Sequence, residues 1–179
     1  MGQIVRANIK NAATTVDAVP DKYLTFELGT DVYAIEVMRI KKIIEFGSIT
    51  HIPMVPPYIR GILNLLGDVV PVIDLQVCFG EKGSEQTRRT CIVIVEVKRG
   101  DKTIDMGVVV DAVNNVIELL PSDVSPAPEL GDNIKTSFIH GVGKINEQFI
   151  LLLDMNNVLS MEQLQQLQKL QQHAEEMVA

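Results

Sequence analysis

The chain has no tryptophan, and aromatic residues fill only 4% of its 179 positions. That leaves little to stack on a ring-bearing ligand. Cysteine occurs twice, at Cys78 and Cys91, and never as Cys-x-x-Cys. Two reduced thiols are expected; the spacing leaves open a disulfide across the hairpin connection. The three histidines, His51, His140 and His173, stand apart from the His, Glu or Cys neighbours that metal-ligand spacing needs. Phosphate-cradling, dinucleotide and nucleophile-elbow motifs are all missing. No cofactor or metal is expected. Positive charge is also short: the formal net charge is −7, and Lys and Arg form no block. Nucleic acid is therefore not an expected partner, because phosphate binding needs a basic face. No apolar run reaches transmembrane length, and the isolated apolar residues between Gln3 and Lys10 make no signal-peptide core. A soluble, cytoplasmic protein without direct membrane insertion is expected.

What is present is a series of short apolar runs, with 46% hydrophobic residues overall. That suits one domain or two small subdomains sharing a core. Met1–Pro20 is polar and without period, so it reads as a flexible arm. Then come Tyr23–Leu28, Val32–Val37, Arg39–Phe46, Arg60–Leu65 and Val69–Leu75. After a polar connection at Glu81–Arg89 follow Cys91–Val97, Thr103–Val110, Ala112–Leu119, Ile139–Ile145 and Gln148–Asp154. Turn residues at Gly29-Thr30-Asp31, Gly67-Asp68 and Arg99-Gly100-Asp101-Lys102 predict hairpins. Val69–Leu75 is apolar at almost every position, so both its faces should be buried. Pro71 within it suits an edge, a bulge or a place where another element leans in.

The two series match. Gly61 falls on Gly141 and Asp74 on Asp154 at one offset; Val37, Ile40, Glu45 and Pro53 fall on Val110, Val113, Glu118 and Pro126 at a slightly shorter one. The change requires a short insertion around Glu129–Ser137. A duplicated all-β unit follows, as small barrels with subdomain one at about 21–80 and subdomain two at about 90–155. The end differs. Ser160-Met161-Glu162-Gln163 resembles a capping box, and Leu164, Leu167, Leu170, Ala174 and Met177 lie near one helical face. A terminal helix over 160–179, packed on a barrel, is preferred to a coiled coil, because the stripe spans too few heptads.

Asp74 and Asp154 are the best candidates for paired carboxylates, being equivalent in the repeat and ending apolar strands. An Asp leaving a strand more often binds the backbone of the next turn, and Asp154 could also cap a helical turn at Met155–Leu159. Nothing nearby resembles a nucleophile or base, so an enzyme is the disfavoured alternative to a binding module.

The run Ile52-Pro53-x-x-Pro56-x-x-Ile59-Arg60-Gly61-Ile62-x-Asn64-Leu65-x-Gly67-x-Val69-x-Pro71-Val72-Ile73-Asp74-Leu75 closely resembles the CheW family. These are coupling proteins that join chemoreceptors to the histidine kinase CheA. Gly107-Val108-Val109-Val110-Asp111-x-Val113-x-x-Val116, Val124-x-Pro126-x-Pro128, Ile139-x-Gly141 and Leu152-Leu153-Asp154 agree with it, so the resemblance covers about 21–159. It implies an all-β fold of two SH3-like five-stranded β-barrel subdomains packed together, with a short C-terminal helix. It also implies a non-catalytic scaffold that binds the cytoplasmic tip of chemoreceptors and CheA's regulatory domain, with other CheW-like domains as further ring partners. Recruitment to membrane-associated receptor arrays would follow. A fusion to a receiver domain is not expected, because too little chain follows Ser160.

The family's receptor groove falls on Ile40, Gly61 and Leu66, and on Val113 and Val116. Ile40, Val113 and Val116 could be ordinary core, the reading that periodicity alone favours. Gly61 and Gly67 could either admit a partner helix or serve tight backbone geometry. Asn64 is expected to hold its own turn rather than a partner. One departure stands out. The family has Arg at the position of Leu66 and usually Glu at the position of Lys42, a pair thought to interact. With both replaced, no charge is stranded, and recognition should shift from charge-assisted hydrogen bonding towards apolar contact. An adaptor for a different chemosensory kinase pathway is the nearest alternative.

Overall fold

The apolar runs form strands where the repeat places them. The computed structural model describes residues 19–47, 49–127 and 137–178. The expected arm at Met1–Pro20 and the insertion near Glu129–Ser137 lie almost wholly outside these residues. The strands are β1 (Asp21–Leu28), β2 (Asp31–Glu36), β3 (Ile40–Glu45), β4 (Ile59–Leu65), β5 (Asp68–Asp74), β6 (Cys91–Arg99), β7 (Lys102–Val110), β8 (Ala112–Leu119), β9 (Val124–Ser125), β10 (Ile139–Ile145) and β11 (Gln148–Leu153). Helix α1 (Leu75–Cys78) is one turn long, and α2 (Met161–Val178) follows the last strand.

The strands make two sheets, ordered β8-β1-β2-β11-β10-β9 and β3-β6-β7-β5-β4. Replace each strand of the second by its repeat equivalent and the order of the first returns, apart from β9. Even β9 has a counterpart, since Thr50 bridges Ile62 much as Ser125 pairs with Val142. The parallel pairs β5·β7 and β11·β2 correspond, and so do the bulges at Ile59/Gly61 and Ile139/Gly141. The duplication is therefore structural. Yet neither sheet is built from one half alone. The expected spans 21–80 and 90–155 mark the repeats along the chain; in space the first hairpin of each half joins the last strands of the other.

Three apolar clusters explain the near-continuous runs. Val70, Val72, Ile92, Ile94 and Val109 fill the inside of the second sheet, and Tyr23, Ala34, Leu119, Ile150 and Leu152 that of the first. Leu24, Phe26, Ile35, Val93, Val95, Met106 and Val108 pack between the sheets. Along β6, Ile92 and Ile94 face one cluster and Val93 and Val95 the other, so both faces are buried. Two curled, SH3-like sheets thus pack about a shared core. Pro71 sits opposite Ile62, one position beyond the hydrogen-bonded pair Leu63 and Val70, so its nitrogen faces away from β4, and β7 joins β5 only from Val72 onward. Its missing N–H is needed by neither neighbour.

The β4–β5 turn falls one residue earlier than expected. Leu65 pairs with Asp68, leaving Leu66 and Gly67 as the central residues at φ 52° and 93°. Left-handed backbone at both positions is a type I′ turn, whose twist matches that of the strands. Helix α2 opens with the predicted capping box: Gln163 N–H donates to Ser160 Oγ at 3.1 Å, and Ser160 N–H to Gln163 Oε1 at 2.9 Å. Leu164, Leu167 and Ala174 are buried; Met177, expected on the same face, is 76% exposed.

Candidate functional site

Two connections carry the chain between strands of the two sheets. The 3-10 turn Val37–Arg39 leads from β2 to β3, and the single residue Asp111 leads from β7 to β8. Asp111 is held firmly. Its N–H donates to Glu27 O at 2.9 Å, and its Oδ2 accepts the Gly29 N–H at 2.7 Å. Just past the crossovers stand Ile40 and Val113, equivalent by the repeat. Both are partly buried against the cluster between the sheets. The two predicted residues thus occupy equivalent positions in the two sheets, against the same core. Farther along β8, Val116 is 53% exposed opposite Leu24. Its neighbour Asn115 is locked to β1, accepting from Thr25 Oγ1 at 2.7 Å. The expectation of ordinary core therefore holds in part for Ile40 and Val113 and fails for Val116.

Lys42 lies exposed on β3, opposite Ile94. Its charge is solvated, so replacing the family's Glu strands nothing. The ion pairs of this strand belong to Lys41, which meets Asp105 at 2.9 Å and Glu96 at 3.5 Å. Hydrogen bonding to Asp105 leads the causes that raise its pKa.

Asn64, Leu66 and Gly67 gather at the tip of the β4–β5 hairpin. Asn64 Oδ1 accepts the Gly67 N–H at 3.0 Å, so this side chain does hold its own turn. Leu66 is 95% exposed in left-handed backbone, which for a non-glycine residue costs of order 1 kcal/mol. Leu66 is therefore no part of the core. Gly61 differs. It is buried at φ 148°, and a Cβ there would run into the Thr50 carbonyl and come within 2.8 Å of Ile49 Cγ2. The room it leaves is taken by the protein's own segment. Gly67 has open space around its Cβ position.

Asp74 ends β5 and Asp154 directly follows β11, in different sheets. Asp74 is fully buried; Oδ1 accepts the Gln76 N–H at 3.0 Å, and Oδ2 accepts Ser84 N–H at 2.9 Å with Arg60 Nη1 at 3.4 Å. It caps α1 and anchors the connection to β6. Asp154 Oδ1 accepts the Asn156 N–H at 3.0 Å and Oδ2 the Asn157 amide at 2.7 Å. It shapes a turn, and Met155–Leu159 forms no helix. The small cavity beside Asp154, about 170 Å³, is lined by Glu36, Arg39, His140 and Met155 but not by Asp74. Each carboxylate is occupied locally, as turn-forming aspartates are. Among the described residues no three His, Cys, Asp or Glu side chains are grouped as metal ligands, and no helix is long and apolar enough to cross a membrane. Cys78 and Cys91 are both free; burial pushes the Cys78 thiol up to about 12.

Comparison with known proteins agrees with this geometry. A family model described as CheW-like domain matches residues 22–163. The chemotaxis protein CheW of Klebsiella aerogenes is 31% identical over 83% of this chain and 87% of its own length. That of Bacillus subtilis is 33% identical over 79% and 88%. Among solved structures, the scaffolding protein TtCheW from Thermoanaerobacter tengcongensis superposes with a TM-score of 0.70 at 30% identity, covering 79% of this chain and 89% of the other. Matched over most of its length by the family model, by curated relatives and by a solved scaffold with the same fold, the chain belongs to the CheW family.

Proposed function

We propose that the protein is a non-catalytic adaptor that couples the cytoplasmic tip of chemoreceptors to the regulatory domain of the histidine kinase CheA. It acts in the cytoplasm and is recruited to receptor arrays at the membrane, where other CheW-like domains are further partners. The placement of Ile40 and Val113 carries this. Two equivalent residues, one from each half and each just past a crossover, are partly buried against the shared core, which supports a partner that contacts both halves. The local engagement of Asp74 and Asp154 supports a role without chemistry.

The hairpin tip gives this coupling its own preference. Leu66 and Lys42 stand where the family carries Arg and Glu, and Leu66 is almost fully exposed. An apolar tip selects partners with an apolar contact point, whether in the usual chemotaxis system or in a related kinase pathway. Calorimetric titration of the full chain with CheA's regulatory domain and with a receptor-tip fragment tests both statements. Micromolar Kd for each, about −8 kcal/mol, supports coupling. Kinase binding without receptor binding assigns the tip to another target, and binding to neither rejects the adaptor.

A further inference from the structure

Helix α2 breaks the symmetry of the duplication. Most of it lies beyond the region matched by the family model, which ends at Gln163. Near its start, the Tyr58 hydroxyl, at the open end of the β4–β5 hairpin, donates to Gln166 Oε1 at 2.8 Å. Later along the helix, the Gln171 side-chain amide donates to the Val69 carbonyl at 3.1 Å, close to the hairpin tip. The helix therefore runs along the hairpin from its base towards Leu66.

The Val69 carbonyl needs such a partner. Leu65 and Asp68 flank a two-residue turn and exchange both hydrogen bonds, so the next pair, Asn64 and Val69, exchanges none. The polar groups of Val69 point instead towards β7, which joins β5 only from Val72 onward. Without Gln171 this carbonyl would have no strand partner in a buried position. The second hairpin shows what happens without a helix. There Phe149 stands at the position of Val69, and it is 70% exposed where Val69 is 2% exposed.

We propose that α2 is a strut for the β4–β5 hairpin, with Gln171 as the positioning residue that holds the Leu66 tip in register for its partner. The partner role of the tip rests on the adaptor function above; the strut itself does not. Gln171→Met keeps the length and shape of the side chain and removes the donor, and Gln171→Lys restores a donor. In the full chain, amide hydrogen exchange should quicken in the Met variant at Leu63, Leu65, Asp68 and Val70, by about five-fold for one lost hydrogen bond. Leu24 and Ile35, paired across β1 and β2 in the other sheet, should not change. The Lys variant should return the hairpin amides towards wild type. Receptor-tip affinity should fall several-fold in the Met variant and recover in the Lys variant. Exchange that is unchanged at the hairpin, or quickened equally throughout the protein, overturns the strut. Quickened exchange with unaltered affinity of the Met variant, in a wild type that binds, overturns the positioning of Leu66 for its partner. If the wild type binds neither partner, the adaptor function falls while the exchange result still decides the strut.

Discussion

Replacing Gly61 by alanine tests whether this glycine serves the fold or a partner. The added Cβ would meet the Thr50 carbonyl head-on and lie 2.8 Å from Ile49 Cγ2. Relief requires the Thr50 segment to move, which threatens the bonds Thr50 N–H to Ile62 O at 2.9 Å and Ile62 N–H to Thr50 O at 3.0 Å. Two such bonds are worth about 1 kcal/mol each. Backbone at φ 148° adds strain of about 1 kcal/mol or more for any residue with a Cβ. The sum is about 3 kcal/mol, which in a chain of this size lowers Tm by about 6–12 °C. Two further variants separate the causes. Gly67→Ala has open space at φ 93°, so only about 1 kcal/mol of backbone strain remains. Gly141→Ala meets Val124 Cγ1 at 2.7 Å and Ser125 O at 2.8 Å without positive-φ strain, and should fall between them. Urea unfolding followed by circular dichroism suits a chain without tryptophan. A Gly61→Ala variant within 0.5 kcal/mol of wild type, or a Gly67→Ala variant equally costly, refutes this account. A stable Gly61→Ala protein that had lost receptor-fragment binding would return Gly61 to the partner surface.

Leu66→Asn should stabilise the protein by about 1 kcal/mol, since Asn-Gly is the favoured type I′ pair and tolerates left-handed backbone; a Tm that does not rise contradicts the turn assignment. Leu66→Arg with Lys42→Glu should strengthen binding to receptor and kinase fragments from systems with the usual residues, by about 1 kcal/mol or five-fold; unchanged Kd values count against a role for this pair. Asp74→Asn should cost about 3 kcal/mol, because it removes a buried acceptor of the Arg60 and Ser84 bonds, read as a lower urea midpoint. Stability should also fall in alkali. Burial, then Asp74, raises the Cys78 thiol from 9.0 to about 12, and burial, then Cys78 and Glu162, raises the Tyr58 hydroxyl from 10.0 to about 12. Between those values the folded protein holds protons that the unfolded chain has released, so urea midpoints should decline as pH rises from about 9 to 12; a flat profile would be inconsistent with burial of these groups.

Strand positions were legible because the apolar runs are short, dense and punctuated by turn residues, and the repeat placed ten of them in matching order. The exchange of hairpins was not legible. Hydrophobic pattern says which faces are buried but not which strand lies alongside, and β1 would satisfy its pattern against either half. The turn at Leu66-Gly67 was misplaced by one residue because a leucine carries no signal for left-handed backbone. Asn64, judged a turn residue from its type, is one. Met177 matched the period of the buried face yet is exposed, since the stripe drifts as the helix reaches its end. Nothing in the pattern pointed to Asp111, whose importance comes from a crossover of one residue between sheets.

A duplicated fold offers two equivalent surfaces, whereas a coupler of unlike partners needs two different ones. The differences here sit at matched positions around the two equivalent hairpins. Leu66-Gly67 is matched by Asn146-Glu147, which keep the same left-handed turn at φ 49° and 64° but present polar side chains. Arg60, paired with Asp74 and lying over the Phe46 ring, is matched by His140, which lines the cavity beside Asp154. Val69, buried under α2, is matched by Phe149, which is exposed with Lys144 over its ring. Backbone geometry is thus conserved between the halves while the side chains facing outward have diverged. Because each sheet contains strands from both halves, neither surface can form without the other half of the chain. Strands of one sheet continue directly into the opposite sheet through Val37–Arg39 and Asp111. These crossovers of three residues and one join the two sheets without a flexible linker that would let them move apart.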